Sequence, residues 1–486
     1  MCQQAWILRR AKRIAFCGAF WVALAAVPQL ASAQSKTSPA GSGGAQISAI
    51  AGPAAAIAVA LPAVRAPAAP AEFQTAAAPP TAATPAFDAG NTAWLMTSTV
   101  LVLLMTLPGI ILFYGGMLRT KNVLSIVAQT LCATGLITLA WSVLGYSLAF
   151  TPGNSWVGDF GRLFADGLTG ASVVAHPAAP TVPEPVFFMF QLAFAIITFA
   201  LVLGATAERI SLSASMAFAV LWVVLIYAPV AHWIWNPTGW LAQMGHMDFA
   251  GGTVVHVLSG VTGLVAAIVI GPRRGFGREP MAPHNLLATV TGAGLLWIGW
   301  FGFNAGSAFE AGNRAAGALL ATHMAACLGA LTWGACEFIV RRQTSVLGML
   351  TGAIAGLIGV TPGSGFVGPF GAVMIGMLTA AVCFLAVTSF KSLTRIDDTL
   401  DVFALHGVGG FVGTLLVPVF ARSDIAPVTA TVATNLLGAM AVIVYAALMT
   451  WAIVAFIRMT IGLRVDADDE STGLDLSQHG EMIAPS

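Results

Sequence analysis

Residues 248–271 read DFAGGTVVHVLSGVTGLVAAIVIG. After Asp248 the stretch carries no charge, and from Gly251 it stays apolar for about twenty residues, enough for an α-helix to cross a bilayer core. His256 lies inside that run, with Gly260 and Gly263 following it. The same H-x3-G-x2-G order returns at His406, Gly410 and Gly413 within DVFALHGVGGFVGTLLVPVF, residues 401–420. An ionisable residue inside a span is costly and normally faces the bundle interior. A lone histidine there often only bonds a neighbouring helix. Matched histidines in two spans point instead to a pathway for a small polar solute or a proton.

The rest of the chain has the same character. Of 486 residues 57% are hydrophobic and 8% charged, against about a quarter charged in soluble proteins. So few charges cannot cover a water-facing surface, and a lipid bilayer is the alternative solvent. Apolar segments of spanning length fall at 92–116, 122–151, 184–206, 211–235, 251–271, 286–305, 315–340, 345–361, 366–390, 401–420 and 430–462. The fold class expected is therefore an all-α polytopic membrane protein of eleven transmembrane helices. His256 lies in the fifth span and His406 in the tenth, so the two five-helix halves enter the membrane in opposite senses. Such an inverted repeat places a transport site near the midplane, between the halves. The eleventh span stands outside the repeat as a long C-terminal helix.

Alternate connections hold Arg119 and Lys121; Arg209; Arg273, Arg274 and Arg278; Arg341 and Arg342; Lys391 and Arg395; and Arg464. The opposite set holds Arg162, Arg314 and Arg422. This bias predicts that the first span starts outside and that the tail ends in the cytoplasm. Arg9, Arg10, Lys12 and Arg13, an apolar core from Ile14 and Ala31-Ser32-Ala33 predict a signal peptide over 1–33. Residues 34–90 read as a disordered Ala/Pro-rich linker, 91–464 as the membrane domain and 465–486 as a cytoplasmic tail. An exported N-terminus places the protein in a bacterial inner membrane.

Several functions are disfavoured. A net charge of +1 without basic clusters gives no nucleic-acid footprint. The histidines and cysteines lack metal-ligand spacing, no cofactor is implied, and there is neither a phosphate-binding G-x-x-x-x-G-K-S/T loop nor a G-x-S-x-G elbow. An enzyme is not expected. Asp248 reads first as an acceptor for loose backbone N–H groups at the start of the fifth span, and second as an electrostatic aid to a cation. Trp233 and Trp235 close the fourth span, while Trp297, Trp300, Phe301 and Phe303 crowd the sixth. Such rings form either an interfacial belt or a cation–π site, and composition does not choose between them.

PGIILFYGGMLRTKNVLS (108–125), LGATAERI (203–210), DFAGGTVVH (248–256), GWFGFNAGSA (299–308), DDTLDVFALHGVGG (397–410) and GLDLSQHGE (473–481) together resemble the ammonium transporter (Amt/Mep/Rh) family, in particular its bacterial Amt branch. The resemblance runs in register from about Asn91 to Glu481. It implies a homotrimer with one pore per subunit. By motif position, Trp235 and Ser307 look like the outer recruitment site for ammonium, and Phe194 and Phe303 like the rings that close the pore below it. His256 and His406 look like the twin pore histidines, with Trp300 beside them and Asp248 as the family's aspartate near the outer site. Trp297 departs from the pattern, standing where a smaller aromatic is expected. The resemblance further implies ammonia conduction with a separate proton relay, and a PII-type nitrogen regulatory protein as partner at the cytoplasmic face. An ammonium sensor, or a passive channel for ammonia or carbon dioxide, is the alternative expectation.

Overall fold

In a bilayer every backbone N–H and C=O has to be paired within its own segment, so a chain this apolar folds as helices. The computed structural model describes residues 87–170 and 173–483. The expected signal peptide and all but the last residues of the linker lie outside them. The apolar helices of the bundle are α1 (Ala89–Met117), α2 (Thr120–Phe150), α3 (Glu184–Thr206), α4 (Leu212–Gln243), α5 (Gly252–Ile270), α6 (Leu286–Gly306), α7 (Asn313–Arg341), α8 (Val346–Val360), α9 (Pro369–Thr394), α10 (Phe403–Phe420) and α11 (Val432–Thr460). Regular helix in α4 ends at Trp235. Among the described residues ten of these are long and apolar enough to span, and α8, at 15 residues, is shorter. At 1.5 Å per residue α8 covers only about 22 Å. The sequence reading of 345–361 did not anticipate that shortfall. The helix stops where Pro362, Gly363, Gly365 and Gly368 follow in a tight turn, since proline and glycine do not continue a helix.

One end of the bundle carries Arg119, Arg209, Arg273 and Arg464, and we call it the basic end. The other carries the two-stranded hairpin β1 (Ala175–His176) and β2 (Ala179–Pro183), and is the hairpin end. α3 is buried along nearly its whole length. α11 instead exposes Leu437, Met440, Val444, Leu448 and Trp451, an apolar flank of the kind that faces lipid.

α5 starts at the hairpin end and α10 at the basic end, so the two H-x3-G-x2-G segments cross antiparallel. Their glycines explain the spacing. A Cβ on Gly260 would collide with the Gly407 backbone nitrogen, and one on Gly410 would come within 2.7 Å of the His256 Cβ. Each copy's first glycine thus makes room for the other copy's histidine turn. Both turns are π-helical, Gly252–Val257 and Phe403–Gly407, a local widening common at functional sites.

At the basic end, ion pairs tie successive connections together. Arg119 and Arg273 both meet Glu208, and Arg273 also meets Asp397. Burial works to raise the Glu208 carboxyl, but Arg273 and Arg119 hold it below its ordinary value. After α11 the chain docks back onto this cluster through α12 (Ala467–Thr472) and α13 (Leu474–His479). Arg464 pairs with Glu470 at 2.6 Å. Asp475 accepts the Ser125 N–H at 2.8 Å, and Asn122 accepts the Leu474 N–H at 2.9 Å. Gly473 at φ 110° lies against Lys121, where a Cβ would come within 2.6 Å. Glycine tolerates both the angle and the approach.

Candidate functional site

Two small cavities lie in line inside the bundle, with a pair of stacked rings between them. The one toward the hairpin end, ≈ 50 Å³, is lined by Phe150, Ala178, Phe187, Gln191, Phe194, Trp235, Phe249, Ser307 and Phe309. The Trp235 ring stands edge-on to Phe194, with centroids 5.7 Å apart. Its indole N–H donates to the Asp248 carbonyl at 2.9 Å, which fixes the ring. The Ser307 hydroxyl, at the end of α6, donates to the Phe303 carbonyl at 2.9 Å, so its oxygen lone pairs are available to a donor. Aromatic faces with one hydroxyl oxygen and no charged residue make a lining suited to a small cation rather than an anion.

Phe194 of α3 and Phe303 of α6 stack face to face, centroids 4.1 Å apart and planes within 19°. Both are buried, and they separate this cavity from the next. The deeper cavity is ≈ 20 Å³, about the room one water-sized molecule needs. Its walls include Tyr114, Leu201, Leu296, Trp300, Phe303 and Ile354 besides the two histidines.

His256 and His406 meet at 3.1 Å, Nδ1 to Nδ1. A hydrogen bond between two such nitrogens requires one to carry the proton and the other a lone pair. The pair is therefore asymmetric: while both rings are neutral, the donor keeps a lone pair on its Nε2 and the acceptor carries its proton there. His256 Nε2 is buried without a partner among the described residues. Trp300 stacks against His256 at 5.5 Å, held by a 2.9 Å bond from its indole N–H to the Thr361 hydroxyl. The early end of α8 is what places Thr361 there.

Asp248 accepts four backbone N–H groups, from Gly251, Gly252, Thr253 and Val254, at 2.6 to 3.0 Å. Burial raises its carboxyl above the ordinary value, against the pull of those donors. The carboxylate supports the first turn of α5 and, through its own backbone carbonyl, Trp235. It does not line either cavity.

The residues singled out in the sequence thus fall on one line, with Asp248 behind it. Others were missed. Asp398 precedes His406 by the same interval at which Asp248 precedes His256, and it accepts the Phe403 N–H at 2.7 Å. That D-x7-H repeat was available in the sequence. Gln191, Phe249 and Thr361 carry no spacing signal that would have found them. Trp297 packs beside His323 at 5.7 Å, away from both cavities.

Comparison with known proteins gives one consistent answer. The family model described as Ammonium Transporter Family matches residues 93–484. The ammonium transporter of Bacillus subtilis is 41% identical over 401 residues, covering 81% of this chain and 98% of its own. That of Aquifex aeolicus is 40% identical, covering 81% and 93%. Among solved structures, Candida albicans Mep2 superposes with a TM-score of 0.74 at 35% identity, covering 82% of this chain and 90% of its own. A structure described as Sensor Amt Protein does so with 0.74 at 30%, covering 80% and 98%. A match over most of the chain's length, on a helical bundle of the same shape, establishes that this chain belongs to the ammonium transporter family.

Proposed function

We propose that the chain captures ammonium in the outer cavity, deprotonates it and passes ammonia along the histidines, the proton going first to the unpartnered Nε2 lone pair of His256 and being relayed separately. The observation that carries this reading is the order of the parts: a cation-suited cavity, a stacked ring barrier, then a cavity lined by a hydrogen-bonded histidine pair. Taking a bare cation into such surroundings costs about tens of kcal/mol in the idealised limit. Ammonium escapes that cost by giving up a proton, which potassium has no means of doing. Trp235 through its ring face and Ser307 through its hydroxyl oxygen attract the charged form. Phe194 and Phe303 exclude hydrated ions, and His256 and His406 hydrogen-bond the neutral molecule, while an excess proton on the pair passes between the two Nδ1 atoms. Trp300 keeps the His256 ring in place, and Asp248 keeps the turn beneath Trp235.

The same reading puts the hairpin end in the periplasm and the basic end in the cytoplasm of a bacterial inner membrane, following the charge bias. It takes the protein as a homotrimer with one pore per subunit and the docked tail as the surface read by a PII-type partner. The test is the current evoked by an ammonium pulse on proteoliposomes, with potassium as control. A saturable current with ammonium alone is expected. A change in vesicle pH without current would mean a neutral-ammonia channel, and no response at all would favour a sensor.

A further inference from the structure

His176 takes no part in the pathway, yet it holds three of the residues that line the outer cavity. It sits in β1 of the hairpin, 4% exposed. Its Nε2–H donates to the Phe150 carbonyl at 2.8 Å, while its Nδ1 accepts the Ala178 N–H at 3.1 Å. Its ring lies flat on Phe187, centroids 4.3 Å apart and planes within 5°. Phe150, Ala178 and Phe187 each face the capture cavity. On its other side His176 borders a separate cavity of ≈ 400 Å³ among the hairpin-end loops, through which a proton reaches it from the medium.

We propose that His176 is a positioning residue for cation capture: neutral, it ties Phe150, Ala178 and Phe187 into the cavity wall, and protonated, it releases Ala178. The proposal rests on the transport reading above. Its basis is donor and acceptor count. Only a neutral imidazole donates from one nitrogen and accepts at the other. With a proton on Nδ1, two donors would face each other across the 176–178 turn, and the turn has to open.

The charged neighbours leave this balance intact. Glu184, at the start of α3, is engaged by Arg162 at 2.7 Å and by the Tyr146 hydroxyl at 2.9 Å. Asp159, also on the larger cavity, is turned to the Gly161 N–H. β2, with sequence APTVP, contributes no titratable group. On α4, His232 sets a ring nitrogen against each of the Ala149 and Asn154 carbonyls, and as a neutral ring donates to one of them. Burial holds the His176 imidazole below its ordinary range, outweighing the Phe150 carbonyl and Glu184. Since the folded value lies below the unfolded one, the wall is fully tied above about pH 6.5 and loosens as pH falls through the lowered value.

The test measures KM for ammonium from proteoliposome currents at outside pH 7.5 and 4.5, in the wild type, His176→Asn and His176→Ala. Asparagine accepts a backbone N–H two residues on, as in an Asx turn, and does not titrate. The wild-type KM is expected to rise about fivefold more than that of His176→Asn between the two pH values. His176→Ala should have a raised KM already at pH 7.5, with the maximal current less affected. Equal pH profiles in the wild type and His176→Asn would overturn the proposal, as would an unchanged KM in His176→Ala. Should His176→Ala fail to fold, the asparagine comparison decides alone. A wild-type chain without any ammonium current would instead overturn the transport reading, and the proposal with it.

Discussion

Two ring nitrogens 3.1 Å apart, with a further nitrogen unpartnered among the described residues beside a single-molecule cavity, are the smallest unit of the proposed chemistry. Their types and matched spacing were legible in the sequence. Their contact was not, because it depends on two glycines in other turns. The stacking of Phe194 on Phe303 was legible only through family resemblance, since 109 positions separate the rings in the chain. Asp248 illustrates a support role at this scale. Alanine there would strand four buried N–H groups, and a buried unsatisfied donor costs about 1–3 kcal/mol. Asp248→Ala is expected to lower the unfolding temperature in detergent clearly more than Asp248→Asn, which keeps one acceptor oxygen. Equal melting of the two variants would count against this role.

At the scale of elements, the spans followed from apolar length, and most observed helices begin and end within a few residues of the reading. α8 matches its reading to one residue at each end, yet at 15 residues it is shorter than the other spans because the glycines and proline after Val360 stop it. The π-helical turns around both histidines leave no mark in hydropathy. The α5–α10 crossing depends on Gly260 and Gly410 lacking a Cβ. Inserting bulk into a packed crossing costs about 1–3 kcal/mol. Gly260→Val should therefore destabilise the protein by that amount and, by pushing the Gly407 turn away, reduce ammonium current in whatever protein folds. Ile268, exposed on the same helix, gives the control: Ile268→Val should do neither. A Gly260→Val protein of wild-type stability and current would contradict the packing account.

Over the whole molecule, the inverted halves were expected from the pattern of spans, while the docking of the tail was not. Residues 465–486 read as a cytoplasmic regulatory tail, and nothing in their spacing announces that Leu474 and Asp475 are buried against the start of α2. The contacts are between backbone groups and single side chains far apart in sequence, which no periodicity records. Removing the chain from Gly473 onward should leave ammonium selectivity intact, because the tail reaches neither cavity, but abolish the response to the proposed PII-type partner. Regulation persisting in the truncated protein, read as transport with and without nitrogen excess, would dissociate the tail from that role.

The measurement that bears most directly on the whole account is the ammonium-evoked current of a His256→Leu, His406→Leu double variant beside the wild type, in proteoliposomes with potassium as control. Leucine fills the space but has no nitrogen to bond ammonia or pass a proton. The account predicts a current lower by about a hundredfold or more, the scale on which positioned proton-transfer groups act. A double variant that carries the wild-type current and still excludes potassium would contradict it.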